Sequence, residues 1–357
     1  MLRIVICPIT FRLPFISGKT VHFSVAKYNG VCKKLGKVYI CVVQKSRKGE
    51  YLEDIDTLLQ NIQLHYKKQL TPRKSLIIFD EVQKCPRARE AMRYFRQYLI
   101  VGGMPQAVKE YVNSRDFTKV DAVKRQILRL YRNDIKKYAG SANTKVSSIF
   151  EAIPGQLQKN EKKFKLADLN DEARMRDYGS AFFWLNDARL ANICYNTTAP
   201  NIGLQLNEER TTLKCYFCDT GLLISMAFNA RGIVQNEIYQ KLMFDKLEIN
   251  EGMLVENIVA QMLRTAGHSL FFYSNYDKED ASSRMEIDFL IQKGTVTSRH
   301  NISPIEVKSS TNYTLNSLTK CVNKFGQYLS TPYVLHSKDL EIKNGITYLP
   351  LYMTPLL

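Results

Sequence analysis

The spacing of apolar residues changes several times along the chain, and each change marks an element. Leu52, Ile55, Leu58, Leu59, Ile62 and Leu64 recur at helical intervals until Pro72 closes the segment. The continuous apolar run from Leu76 to Phe79, ending in Asp80 and Glu81, predicts a buried parallel strand with two acids at its C-terminal edge. A helix is expected over 120–138, with Val120, Val123, Ile127, Leu130, Tyr131, Ile135 and Tyr138 inward. Further helices are expected around 144–158 (Ile149, Phe150, Ile153 and Leu157 inward), over 166–176 and over 178–190. Ser148 and Glu151 have the spacing of a capping box. Strands are expected around Cys194 and over 211–217. Glu256 sits on a helix whose apolar face is Leu254, Ile258, Met262 and Leu263. Alternation through 286–289 and 305–308 then reads as two half-buried strands, followed by a helix over 315–325 and a strand over 333–336. The first 49 residues show no clean period.

The two alternating strands carry the densest chemistry. Residues two apart on a strand share a face, so Glu286 and Asp288 project together, as do Glu306 and Lys308. Three carboxylates and one ammonium would then meet in a small patch. Carboxylates that close repel each other unless a cation offsets them, the usual reason for building a hard-metal site from Asp and Glu. The plainer reading is a solvated Glu–Lys pair on an amphipathic strand. The order of helix acid Glu256, strand Asp288 and strand Glu306-Val307-Lys308 resembles the PD-(D/E)-x-K nuclease superfamily. That resemblance implies Mg²⁺ held by Glu256, Asp288 and Glu306, with Lys308 positioning or polarising the attacking water. Glu286 would orient a ligand or pair with Arg284. Ile287 stands where the superfamily usually has a proline.

Charge adds a partner class. The net charge is +17, and ten Lys or Arg with no Asp or Glu fall in the first 49 residues, which points to an anionic partner, with nucleic acid ahead of a membrane surface. Residues 159–165 (KNEKKFK) read as a solvated loop lying where DNA could pass. A DNA-reading helix should offer Arg, Lys, Asn or Gln, but the third helix of the 144–218 region offers Ala181, Phe182, Phe183, Trp184 and Leu185, so it reads as a packing or protein-docking element. Eight scattered cysteines lack a disulfide framework and place the chain in a reducing cytoplasm. Cys215 and Cys218 form a lone CxxC inside an apolar strand rather than half of a zinc ribbon. No apolar run approaches the roughly 20 residues of a membrane span. Gly18-Lys19-Thr20 resembles the end of a phosphate-binding loop, but Leu13 stands where the loop needs glycine, and Pro14 removes a backbone donor.

Seven segments in order (DEVQKCPRAR, YLIVGGMPQAV, ILRLYRNDI, CYFCDTGLL, LVENIV, EIDFLI and PIEVKS) closely resemble the bacterial and archaeal AAA-type ATP-binding proteins that end in a nuclease-like domain of unknown function. The resemblance implies an α/β multidomain protein: an atypical basic segment over 1–50, a truncated P-loop-type α/β core over 51–100, and a helical linker over 101–143. A winged helix over 144–218 and a restriction-endonuclease-like α/β domain over 219–357 would follow. Asp80 and Glu81 would be the Walker B pair, orienting Mg²⁺ and water beside ATP. Two departures stand out. The phosphate loop is missing, and only 20 residues separate Glu81 from Gly102, where the family has a sensor strand and lid. The expectation is a protein defective in ATP hydrolysis whose nuclease-like domain binds or cleaves nucleic acid with Mg²⁺. The alternative is a non-enzymatic protein- or DNA-interaction module on an inactive nuclease fold, docking a partner through the winged helix. An acid-free start abutting a family-like remainder also matches what a frameshift or a wrong start codon would produce.

Overall fold

The computed structural model describes residues 3–6, 37–42, 75–80, 95–201, 203–228, 239, 251–276, 283–292, 301–310, 312–338 and 340–357. The chain divides into two compact units, one built mainly from residues 1–95 and the other from residues 96–337 and 341–355. In the first unit, strands β1 (Arg3–Ile6) and β2 (Lys37–Val42) flank β3 (Ser75–Asp80), both parallel to it. The parallel strand expected at 76–79 therefore forms. The start of the chain, which shows no clean period, nevertheless supplies two strands, because pairing on β3 satisfies their backbones whatever the side-chain pattern. Asp80 is the last residue of β3. Glu81, the helix expected at 52–64 and the Gly18-Lys19-Thr20 segment lie outside the described residues.

The second unit opens with helical residues 96–101, then α1 (Pro105–Ser114) and α2 (Phe117–Tyr138). Asp116 caps α2 by accepting from Thr118 N at 2.8 Å. Val120, Ile127 and Ile135 are buried as expected. Leu130 and Tyr138 are instead exposed, and the inward face carries Asp121 and Lys124. Those charged groups are held by a polar network. Lys124 Nζ donates to Ile100 O at 3.0 Å and to Tyr239 OH at 3.3 Å, and the Tyr239 and Ser225 hydroxyls donate to Asp121 at 2.6 and 2.7 Å. Burial pulls the Lys124 pKa down to about 8.

Helix α3 (Asn143–Gln158) buries Ile149, Phe150, Ile153 and Leu157 as expected, but it starts before Ser148. Ser148 Oγ consequently donates back to Thr144 O at 2.7 Å from inside the helix and caps nothing. The helix expected over 166–176 is replaced by a 3-10 turn at Leu166–Asp168. The next helix, α4 (Met175–Asp187), buries Ala181, Phe182 and Leu185, in keeping with a packing role, and leaves Phe183 exposed.

The remaining elements are β4 (Ala191–Thr197), β5 (Glu208–Phe217), α5 (Thr220–Ala227), α6 (Glu251–Thr265), β6 (Phe271–Asn275), β7 (Met285–Gln292), β8 (Ile302–Val307), α7 (Asn316–Phe325), β9 (Tyr333–His336), β10 (Glu341–Lys343) and β11 (Ile346–Pro350). The eight strands form one mixed sheet in the order β10-β11-β9-β8-β7-β6-β4-β5. The β4–β5 hairpin, expected as wing strands, thus hydrogen-bonds into the same sheet as the C-terminal strands, through parallel pairing of β4 with β6. One face packs Ile287, Leu290, Ile302 and Val334 against Leu318 and Cys321 of α7. Phe150 of α3 lies 5.3 Å from Phe217 of β5.

The loop after residue 101 is pressed hard onto the start of α5. Gly102 has φ 82°, a left-handed conformation that glycine adopts without strain. Asp219 caps α5 at Leu222 N (2.9 Å) and also accepts from Gly103 N at 2.6 Å. A Cβ on Gly221 would stand 2.4 Å from Val101 O, so nothing larger than glycine fits there without a backbone shift.

Candidate functional site

A bulge and a strand end create the site. Tyr273 of β6 is opposite Ile287, and Phe271 is opposite Leu290, so β7 spends three steps against two and bulges at Asp288–Phe289. Glu286 and Asp288 therefore share one face while Ile287 and Leu290 enter the core on the other. The β7–β8 ladder runs from Gln292↔Ile302 to Phe289↔Ile305, leaving Asp288 and Glu306 just beyond its last rung. There Asp288 Oδ2 takes over the ladder's role and accepts from Val307 N at 2.8 Å.

Helix α6 brings Glu256 to the same face, with Leu254, Ile258 and Leu263 buried beneath it and Met262 half-buried. Glu256, Asp288, Glu306 and Lys308 are thus gathered as the sequence implies, with Glu256 and Glu306 both acting on Asp288 electrostatically. The company they keep is unexpected. Glu256 Oε1 meets Lys162 Nζ at 2.6 Å, and Glu256 Oε2 accepts from Tyr216 OH at 3.1 Å. Glu306 Oε2 meets Lys308 Nζ at 2.7 Å. Lys214 Nζ lies 2.7 Å from Glu286 Oε1 and 3.8 Å from Asp288 Oδ1, over the Phe272 ring. Glu286 also faces Lys163 at 3.6 Å, so it pairs with two lysines rather than with Arg284, whose guanidinium stacks over Tyr276.

Burial makes these charges consequential. Lys214 is 1% exposed and Glu306 4%. Desolvation, reinforced by Glu256 and Glu306, pushes the Asp288 pKa up to about 8. Glu306 is likewise raised by burial, against the pull of Lys308. For Lys214, burial acts downward, but Glu286, Glu256 and Asp288 together hold its pKa above the usual lysine value. Burial alone would raise Glu286, but Lys214 and Lys163 together bring it below the usual carboxylate value.

Sequence reasoning missed Lys162, Lys214 and Tyr216. The available signal was Lys214, a lysine within a strand segment that is otherwise Leu, Cys, Tyr and Phe and is buried throughout. Residues 159–165 are not a free solvated loop. Lys159 pairs with Asp168, Lys163 and Lys165 pair with Glu161, and Lys162 is buried on Glu256. Cys215 lies in β5 as a buried free thiol, and Cys218 just beyond it is also free.

The fit to Mg²⁺ turns on donor availability. Among the described residues no group of three or more acid, histidine or cysteine side chains is placed to hold a metal ion. Of the six carboxylate oxygens of Glu256, Asp288 and Glu306, the buried Glu306 Oε1 has no hydrogen-bond partner, and Asp288 Oδ1 faces Lys214 Nζ only at 3.8 Å. Lysines supply the counter-charge instead. As folded, the three acids do not form a carboxylate cage for a divalent ion.

Two family models match the chain. A domain of unknown function, DUF8612, matches residues 92–232, and a second, DUF4143, matches residues 251–353. DUF4143 is found in AAA-ATPase-associated proteins. No curated protein and no solved structure matches the chain. Among the described residues no helix is long and apolar enough to cross a membrane.

Proposed function

We propose that this chain is an ATPase-associated protein without ATP hydrolysis, whose sheet and α6 form a nuclease-like fold used as a non-enzymatic binding module. The observation that carries this reading is the lysine compensation of the acid set. Glu256 is engaged by Lys162, Asp288 faces Lys214, and Glu306 is engaged by Lys308. A nuclease centre needs its carboxylates free to hold a hard cation beside the scissile phosphate. Here the ammonium groups already offset them, and the expected helix acid spends both oxygens on protein donors. The net charge of +17 supports an anionic partner, with nucleic acid as the first class to test. Loss of hydrolysis is supported by Leu13 and Pro14 where a phosphate loop needs glycine and backbone donors.

A second reading, a Mg²⁺-dependent nuclease, draws on the partnerless Glu306 Oε1 beside Asp288. One experiment separates the two. The purified full chain is incubated with a panel of labelled single- and double-stranded DNA and RNA, in Mg²⁺ or in chelator, with binding and cleavage read on the same samples. The module reading expects retention unchanged by chelator and no cleavage. Mg²⁺-dependent cleavage that Asp288→Asn, Glu306→Gln and Lys308→Ala each abolish would replace it with the nuclease reading. Calorimetric titration with Mg-ATP tests the first clause, and micromolar binding accompanied by turnover would overturn it.

A further inference from the structure

The lysine that compensates Glu256 comes from outside the sheet strands. Residues 161–164 leave α3 and run alongside β5, where Lys163 bridges Lys214 in antiparallel register and Phe164 N donates to Leu213 O at 2.8 Å. Phe164 is buried edge-on against Phe182 at 5.0 Å. Gln156 ties the far end, bonding both the N–H and the carbonyl of Lys165. Between these anchors Lys162 turns inward and reaches Glu256, 94 positions away in sequence, with both side chains 10% exposed. Lys163 meanwhile covers Glu286.

We infer that residues 161–164 are a strap that closes the acid set to metal: Lys162 supplies the cation that the buried acid set requires and thereby keeps a divalent ion out. Two independent features point the same way. The buried Glu306 Oε1 has no hydrogen-bond partner, so one carboxylate oxygen on this face is already available. Glu256, the acid that would complete the set with Asp288 and Glu306, is turned to Lys162 and Tyr216. Removing the ammonium while keeping the side-chain volume frees one oxygen of Glu256 and leaves a buried negative charge that only an incoming cation or proton can offset. The strap belongs to a connection rather than to a strand of the sheet, and its backbone joins β5 at one isolated bridge, made by the Phe164 N–Leu213 O hydrogen bond.

The inference rests on the proposed reading of the acid and lysine cluster as a closed nuclease-like centre, and the test keeps the two apart. Mn²⁺ and Mg²⁺ are titrated calorimetrically into the wild-type full chain, Lys162→Met, Lys162→Arg and the double variant Lys162→Met with Glu256→Gln. The strap predicts no saturable binding to wild type or Lys162→Arg. It predicts at least tenfold tighter, saturable binding to Lys162→Met, and loss of that binding in the double variant. If wild type already binds the ion as tightly as Lys162→Met, both the strap and the module reading fall. If neither binds, the strap alone falls. Should Lys162→Met not fold, Glu256→Gln removes the strap's anchor at nearly constant shape. Trypsin cleavage after Lys162 should then accelerate at least tenfold over wild type, and unchanged protection overturns the strap.

Discussion

Asp288→Asn, measured in chelator across pH, reads the electrostatics of the cluster directly. Asn keeps the shape and an oxygen able to accept from Val307 N, so the 2.8 Å bond that closes the strand end can persist. What changes is the charge. Asp288 has a folded pKa near 8 against an ordinary 3.8, and its side chain is 16% exposed. Between those two pH values the folded chain binds more protons than the unfolded chain, so wild-type stability falls as pH rises from about 4 to about 8. At about 1.4 kcal/mol per unit of separation, and halved because Asp288 and Glu306 titrate as a pair that shares the shift, the loss between pH 5 and pH 8 is on the order of 2 kcal/mol. Glu306, also raised, adds to the loss with the same sign. Asp288→Asn removes its own share. It should raise the melting temperature at pH 8 by roughly 4–8 °C and by much less at pH 5, taking about 2–4 °C per kcal/mol for a unit of this size. Circular dichroism melts of both proteins at four pH values make the measurement. A wild-type stability that climbs with pH, together with a destabilised Asp288→Asn, would show that the carboxylate is ionised and wanted in that form, and the cluster described above would be misassigned.

Other substitutions separate structure from chemistry. Lys214→Met, close in volume, should destabilise by about 3–5 kcal/mol in urea unfolding at pH 7, because it leaves Glu286 and Asp288 without their buried cation. A change under about 1 kcal/mol would mean that the pair is solvated. Gly221→Ala should cost more than about 2 kcal/mol, since its Cβ would fall 2.4 Å from Val101 O, and a wild-type melting curve would refute that packing. Ser148→Ala should stay within about 0.5 kcal/mol of wild type, whereas a true N-cap would lose about 1 kcal/mol or more.

Local period was legible where one face of an element meets the core. The strands at 286–289 and 305–308, the helix Asn316–Phe325 and the strand Tyr333–His336 all form where the sequence places them, although β8 is buried along its whole length rather than half-buried, because it lies in the interior of the eight-stranded sheet. Asp288, Glu306, Lys308 and Glu256 were legible for the same reason, since spacing fixes which side chains share a face. What spacing cannot carry is long-range pairing. Lys214 meets Glu286 only because of how strands distant in sequence are ordered in the sheet, and Lys162 meets Glu256 only because residues 161–164 run along β5. The bulge at Asp288–Phe289 is invisible for the same reason, being a property of β7 relative to β6. Ser148 failed differently. Its motif was real, but it lay inside a helix that began earlier.

The parallel pairing of β4 with β6 has a consequence for inheritance. Residues 92–232 and 251–353 match separate family models, yet the pairing of Tyr195 with Phe271 and of Asn196 with Phe272 makes their strands neighbours. Cut between the two segments, and each half would carry a raw strand edge, strongly aromatic on the β6 side, the kind of surface that templates aggregation. Gene fission or shuffling at that boundary would therefore be purged, and the two segments should travel through genomes as a linked pair.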